Sequence, residues 1–102
     1  MALNVIDEVT TIDVMAVANG FLNDNLPDRF TSANPIFDES EGVWRLKVLL
    51  SYAIIGPVGQ VGEVTVDSSS SEVVEHTPLA EMRARALKLY EQHREAIETP
   101  IP

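Results

Sequence analysis

The chain has 102 residues, 45% of them hydrophobic, enough apolar material for one core and one domain. It carries 16 Asp and Glu against 7 Lys and Arg, and the formal charge of −9 disfavours nucleic-acid backbones and anionic membrane surfaces as partners. Cysteine is absent, which excludes disulfides, thiol catalysis and thiolate metal sites.

The stretch Met1 to Glu8 lacks a basic n-region and acquires Asp7 and Glu8 too early for a signal peptide. Residues 1–9 are expected to be a ragged lead-in to a single domain over 1–102. Thr10 or Thr11 can then cap a first helix, with Asp13 at the positive end of its dipole. Ile12, Met15, Ala16, Leu22 and Leu26 recur at helical spacing, and Pro27 discourages the helix from continuing. Residues 28–34 read as a connector and Pro35-Ile36-Phe37 as a short edge strand, because proline is tolerated at a sheet edge.

Glu39-Ser40-Glu41-Gly42 forms a hairpin turn into the clearest strand of the chain. From Val43, Trp44, Leu46, Val48, Leu50 and Tyr52 alternate with Arg45, Lys47 and Ser51, the period-two pattern of a strand with one wet face. Residues 54–62 read as an apolar loop with three glycines at three-residue spacing. That spacing is faintly like a phosphate cradle, but a β-patterned run follows it instead of a helix. The most apolar window, 48–61, is broken by Ser51, Gly56, Pro57 and Gly59 and is shorter than the ~20 residues a membrane span needs.

A second strand places Val64 and Val66 on one side and Glu63, Thr65 and Asp67 on the other. A serine-rich turn and a short third strand at Val73 and Val74 follow. The final helix has Thr77 as expected N-cap, Pro78 at its first position, and an apolar stripe of Leu79, Met82, Ala86, Leu89, Tyr90, His93 and Ile97. Arg83, Arg85 and Lys88 fall on the opposite face. The fold class expected is α+β: an N-terminal helix, an antiparallel sheet of three or four strands, and a long C-terminal helix packed on one sheet face.

Chemistry is sparse. His76 and His93 are the only imidazoles, without metal-ligand spacing. The carboxylate pairs lie in turns and on wet helix faces, where nothing raises a pKa for general acid catalysis. Serines 68 to 71 have no neighbouring base. No catalytic, cofactor-binding or metal-binding residue is therefore assigned, no cofactor is expected, and the chain is read as a non-enzymatic cytoplasmic protein. Trp44 and Tyr52, with His93, are the residues of a candidate pocket should the chain bind a small molecule. Ile54, Ile55, Val58 and Val61 are apolar where a monomer's loop would be polar, and they form a candidate homodimer interface that would also protect a sheet edge.

The run from Glu41 to Thr77, "EGVWRLKVLLSY … VGEVTVDSSSSEVVEHT", resembles the PepSY-type small α+β domains. In those, a second strand ends in an Asp-x-x-Thr-Gly-Glu-Val-like turn. Here Asp67, Glu72 and Val73 keep that frame, while Ser70 and Ser71 stand in place of the threonine and glycine. The likeness covers Ile12 to Val74. The stretch from Val61 to Arg94 is also similar to stand-alone small prokaryotic proteins, some encoded beside a toxin or nuclease-like protein. Both resemblances imply a non-catalytic module that binds a protein partner, as an inhibitor or an antitoxin-like regulator. A small-molecule binding or enzymatic α+β domain is the alternative.

Overall fold

A computed structural model of the chain describes residues 3–98, with the backbone alone for residues 3–10. The element order is α1 (Leu3–Asn25), β1 (Phe30–Asp38), β2 (Val43–Tyr52), β3 (Gly56–Asp67), β4 (Val73–His76), α2 (Leu79–Gln92) and α3 (Arg94–Glu98). The four strands form an antiparallel meander in the order β1-β2-β3-β4, and both long helices pack on the sheet. This is the α+β architecture expected, with four strands.

The first helix begins at Leu3, so most of residues 1–9 is helix and not a ragged lead-in; residues 1 and 2 lie outside the described residues. Thr10 and Thr11 lie inside the helix and do not begin it. The sequence from Leu3 to Asn19 contains no glycine or proline to stop it. Its buried stripe, Val14, Ala18 and Leu22, repeats every four residues, faces the sheet and continues to Leu26 just past the helix. Leu26 N still donates to Leu22 O at 2.8 Å before Pro27 turns the chain away.

The connector is shorter than expected and β1 longer, nine residues in place of three. Asn34, at φ 53°, sits at a register shift between Ala33 and Ile36 that lets Pro35 enter an edge strand. The turn at 39–42 forms as read. Gly42 takes φ 66° and donates its N–H to Asp38 O at 2.8 Å.

In β2 the alternation holds: Leu46, Val48 and Leu50 are buried under the helices, with Trp44 and Tyr52 partly buried at the two ends. The apolar loop at 54–62 is mostly strand. Only Ala53-Ile54-Ile55 make the turn, and β3 pairs with β2 from Gly56 onward through two register shifts. Gly59 and Gly62 explain themselves there. A Cβ at Gly59 would sit 2.9 Å from Leu89, and one at Gly62 would sit 2.9 Å from Met82 and Thr77. These glycines let α2 lie close on β3 and cradle no phosphate.

The last helix starts at Leu79, with Pro78 in the cap position. Thr77 does not cap it. Its hydroxyl instead accepts the Glu63 N–H at 3.0 Å, and its own N–H returns to Glu63 O at 3.0 Å. The helix also breaks at His93, whose N–H is shared between Leu89 O and Tyr90 O, so the single long helix expected is two.

Candidate functional site

The two ends of β2 differ in what covers them. At the Val43 end, Trp44 stacks obliquely on Phe37 of β1, ring centroids 5.1 Å apart. Trp44 pairs across to Val66, which is fully buried and continues to Val73 of β4. Trp44 thus caps the core beside a neighbouring aromatic ring.

At the other end the sheet opens into a cleft of ≈ 250 Å³ between β1, β2 and α2. Phe30 and Leu50, neighbours in register, supply its floor with Ala86. Tyr52 follows Leu50 on the same strand face and forms one wall. Arg83, Ala86, Leu87 and Tyr90 line the helical side at i, i+3, i+4 and i+7, one stripe of α2. A different stripe, Met82, Ala86 and Leu89, packs on the core, so Ala86 belongs to both.

Two arginines stand at the rim. The Arg29 guanidinium lies over the Tyr52 ring, 4.8 Å from its centroid. Arg83 Nη2 donates to Asn25 O at 3.1 Å, fastening α2 to the end of α1. Among the described residues the ion pairs engage Arg45, Arg85 and Arg94; neither Arg29 nor Arg83 has a carboxylate partner. A second depression of ≈ 450 Å³ shares Arg29 and Tyr52 and extends over Asp28, Thr31, Ser51 and Gly56. The turn Ala53–Ile55 closes this end. Ile54 is 75% exposed, Ile55 is exposed, and Leu87 beside the cleft is 59% exposed.

The candidate interface is therefore divided. Ile54 and Ile55 are at the surface, Val58 is half-buried against the core, and Val61 has no exposed surface at all. Val61 is a core residue, carried inward by the register shifts of β3, and it cannot touch a partner. The candidate pocket divides likewise: Tyr52 lines the cleft, whereas Trp44 is at the far end of β2 and His93 lies outside the lining. His93 Nδ1–H donates to Leu89 O at 3.0 Å and closes the end of α2. His76 Nδ1–H donates to Thr77 O at 2.8 Å, and its ring lies 4.7 Å from that of Phe21.

The best-placed carboxylates serve turns. Asp38 accepts the Ser40 hydroxyl and Arg45, which hold its pKa below the ordinary value. Asp67 accepts the Ser69 hydroxyl and the Ser70 N–H with the same result. A general acid requires the opposite shift. No cluster of three or more potential metal ligands occurs among the described residues, and no described helix is long and apolar enough to cross a membrane.

Sequence reasoning missed Arg29, Arg83 and Leu87. The 83/86/87/90 stripe was present as helical spacing, but Arg83 on the far side of the apolar stripe reads as a solvated charge until β1 and Tyr52 are placed beside it.

No family model, curated protein or solved structure matches this chain.

Proposed function

We propose that this protein is a non-catalytic interaction module that binds a protein partner through the sheet end built from the Ala53–Ile55 turn and the adjoining cleft. The observation that carries this reading is the composition of that end. Exposed Leu87 lines a concave apolar floor together with two tyrosines and two arginines that have no carboxylate partner among the described residues, and exposed Ile54 lies on the turn that follows Tyr52. Tyrosine and arginine around a desolvated pocket are the residue types that concentrate binding energy in protein interfaces. The resemblance to PepSY-type domains and to toxin-adjacent small proteins supports a regulatory or inhibitory role for the contact.

Self-association is the second reading, favoured by the exposure of Ile54 and Ile55. Edge protection argues for it only at the outer edge of β4. The β1 edge is capped by Asn19 and bent at Asn34, and the free half of β3 carries Pro57 and gives Val61 O to Arg85 at 3.4 Å. The turn also holds no carboxylate for the rim arginines.

Quantitative affinity capture from native cells tests the proposal, comparing wild type, Ile54→Asp/Leu87→Asp and the control Ile12→Asp on the outer side of α1. A protein enriched by wild type and control but lost by the double variant is the expected result. Equal capture by all three contradicts the assigned surface. Sedimentation equilibrium of the same variants decides the second reading, which requires a wild-type dimer that Ile54→Asp dissociates.

A further inference from the structure

On the reading that this end of the sheet binds a protein, we infer that the cleft takes an acidic peptide segment carrying one apolar anchor side chain. The anchor sits on Phe30, Leu50 and Ala86, and flanking carboxylates meet Arg29 and Arg83.

Charge complementarity selects this occupant. The chain holds 16 acidic and 7 basic side chains, so a basic group has many possible carboxylates at hand. Arg45, Arg85 and Arg94 each find one at their surface sites. Arg29, Lys47, Arg83 and Lys88 do not among the described residues, and of these four Arg29 and Arg83 stand at the mouth of the same cleft. Arg29 uses its planar face on Tyr52 and Arg83 spends one nitrogen on Asn25 O, which fixes both heads while leaving N–H donors unspent. Guanidinium forks recognise carboxylates bidentately. The net charge of −9 opposes an acidic partner at long range, but beyond ~8 Å that field is screened at physiological salt. At contact distance Arg29 and Arg83 outnumber Asp28, the one carboxylate lining this cleft or the adjoining depression. A basic segment would meet them as like charges, and a purely apolar one would leave them desolvated without partners.

The test titrates the full ¹⁵N-labelled chain with a short Gly/Ser peptide containing a central Asp-Leu-Asp. Asn-Leu-Asn and Lys-Leu-Lys peptides and free phenylpropionate serve as comparisons. Saturating amide shifts at Arg29, Tyr52 and Leu87 are expected, with binding about five-fold weaker for the Asn peptide. Arg29→Gln/Arg83→Gln should erase that preference while the spectrum stays dispersed as in wild type. Equal affinity for the three peptides, shifts confined elsewhere, or binding of the free acid alone would overturn the inference. If the peptides fail but partner capture still depends on Ile54 and Leu87, the acidic-peptide occupant is wrong and the protein-binding reading stands. If capture fails too, both fall.

Discussion

Asn19 and Ser32 join the first helix to the outer strand through a single oxygen. Asn19 Oδ1 accepts both the N–H and the hydroxyl of Ser32, each at 2.8 Å. Ser32 is buried on the helix side of β1, opposite Val48, where a polar group is tolerated only if bonded. The amide thereby also occupies an edge N–H that another chain could otherwise pair. Asn19→Ala leaves the Ser32 N–H unsatisfied and the hydroxyl only its 3.5 Å contact with Met15 O, and should cost about 1–3 kcal/mol in urea unfolding. Ser32→Ala should cost less, because it removes the hydroxyl and keeps the N–H bond. A loss under 0.5 kcal/mol for Asn19→Ala would mean water replaces the amide.

Ser71 occupies the left-handed region at φ 57°, which a side chain adopts only at a steric cost. Its N–H bonds to Asp67 O at 2.9 Å, so the turn holds that conformation despite the side chain. Ser71→Gly removes the steric cost at the expense of unfolded-state entropy and should stabilise by about 0.5–1 kcal/mol. A thermal midpoint unchanged or lowered would refute the strain.

Gly62→Ala should destabilise more than Gly59→Ala. At Gly59 the obstructing atoms are the ends of the Leu89 side chain, which can rotate away. At Gly62 the new Cβ meets Met82, fully buried, and the Cβ of Thr77, which is held by its two bonds to Glu63. Overpacking of that kind costs about 1–3 kcal/mol. Chemical unfolding of the two variants side by side checks the order.

Acid should weaken both hairpin turns. The folded pKa values of Asp38 and Asp67 lie below their unfolded ones, so the stability they contribute is present above the ordinary aspartate value of 3.8 and disappears as pH falls through the folded values. The stability gap between wild type and Asp38→Ala/Asp67→Ala should therefore be full near pH 7 and narrow below about pH 4. A gap constant across that range would show that hydrogen bonding to these side chains is indifferent to their charge.

Much of this fold was legible, and the failures have physical causes. Alternation from Val43 to Tyr52 located β2 and its core face because a half-wet strand displays its period. The start of β3 was hidden because Gly56, Pro57, Gly59 and Gly62 all look like loop residues. Gly59 and Gly62 are small there because Leu89, Met82 and Thr77 need the space, a requirement that exists only after α2 is docked, whereas Gly56 serves the turn at φ 82°. Thr77 looked like a helix cap and is instead a clasp on β3, since its local signal could not reveal Glu63 across the sheet. The cleft was half visible. Tyr52 was found from strand alternation, but Arg29 and Arg83 belong to distant segments that only the packing of α2 on the sheet end brings together.

The most direct test of the assigned surface is in-cell photo-crosslinking from single positions. A photoreactive residue placed at Ile54 or Leu87, both exposed, should capture the same partner protein. The same residue at Ile12, equally exposed on α1, should capture none of it. Crosslinks from Ile12 with none from Ile54 or Leu87 would contradict the account and place binding on the helical face.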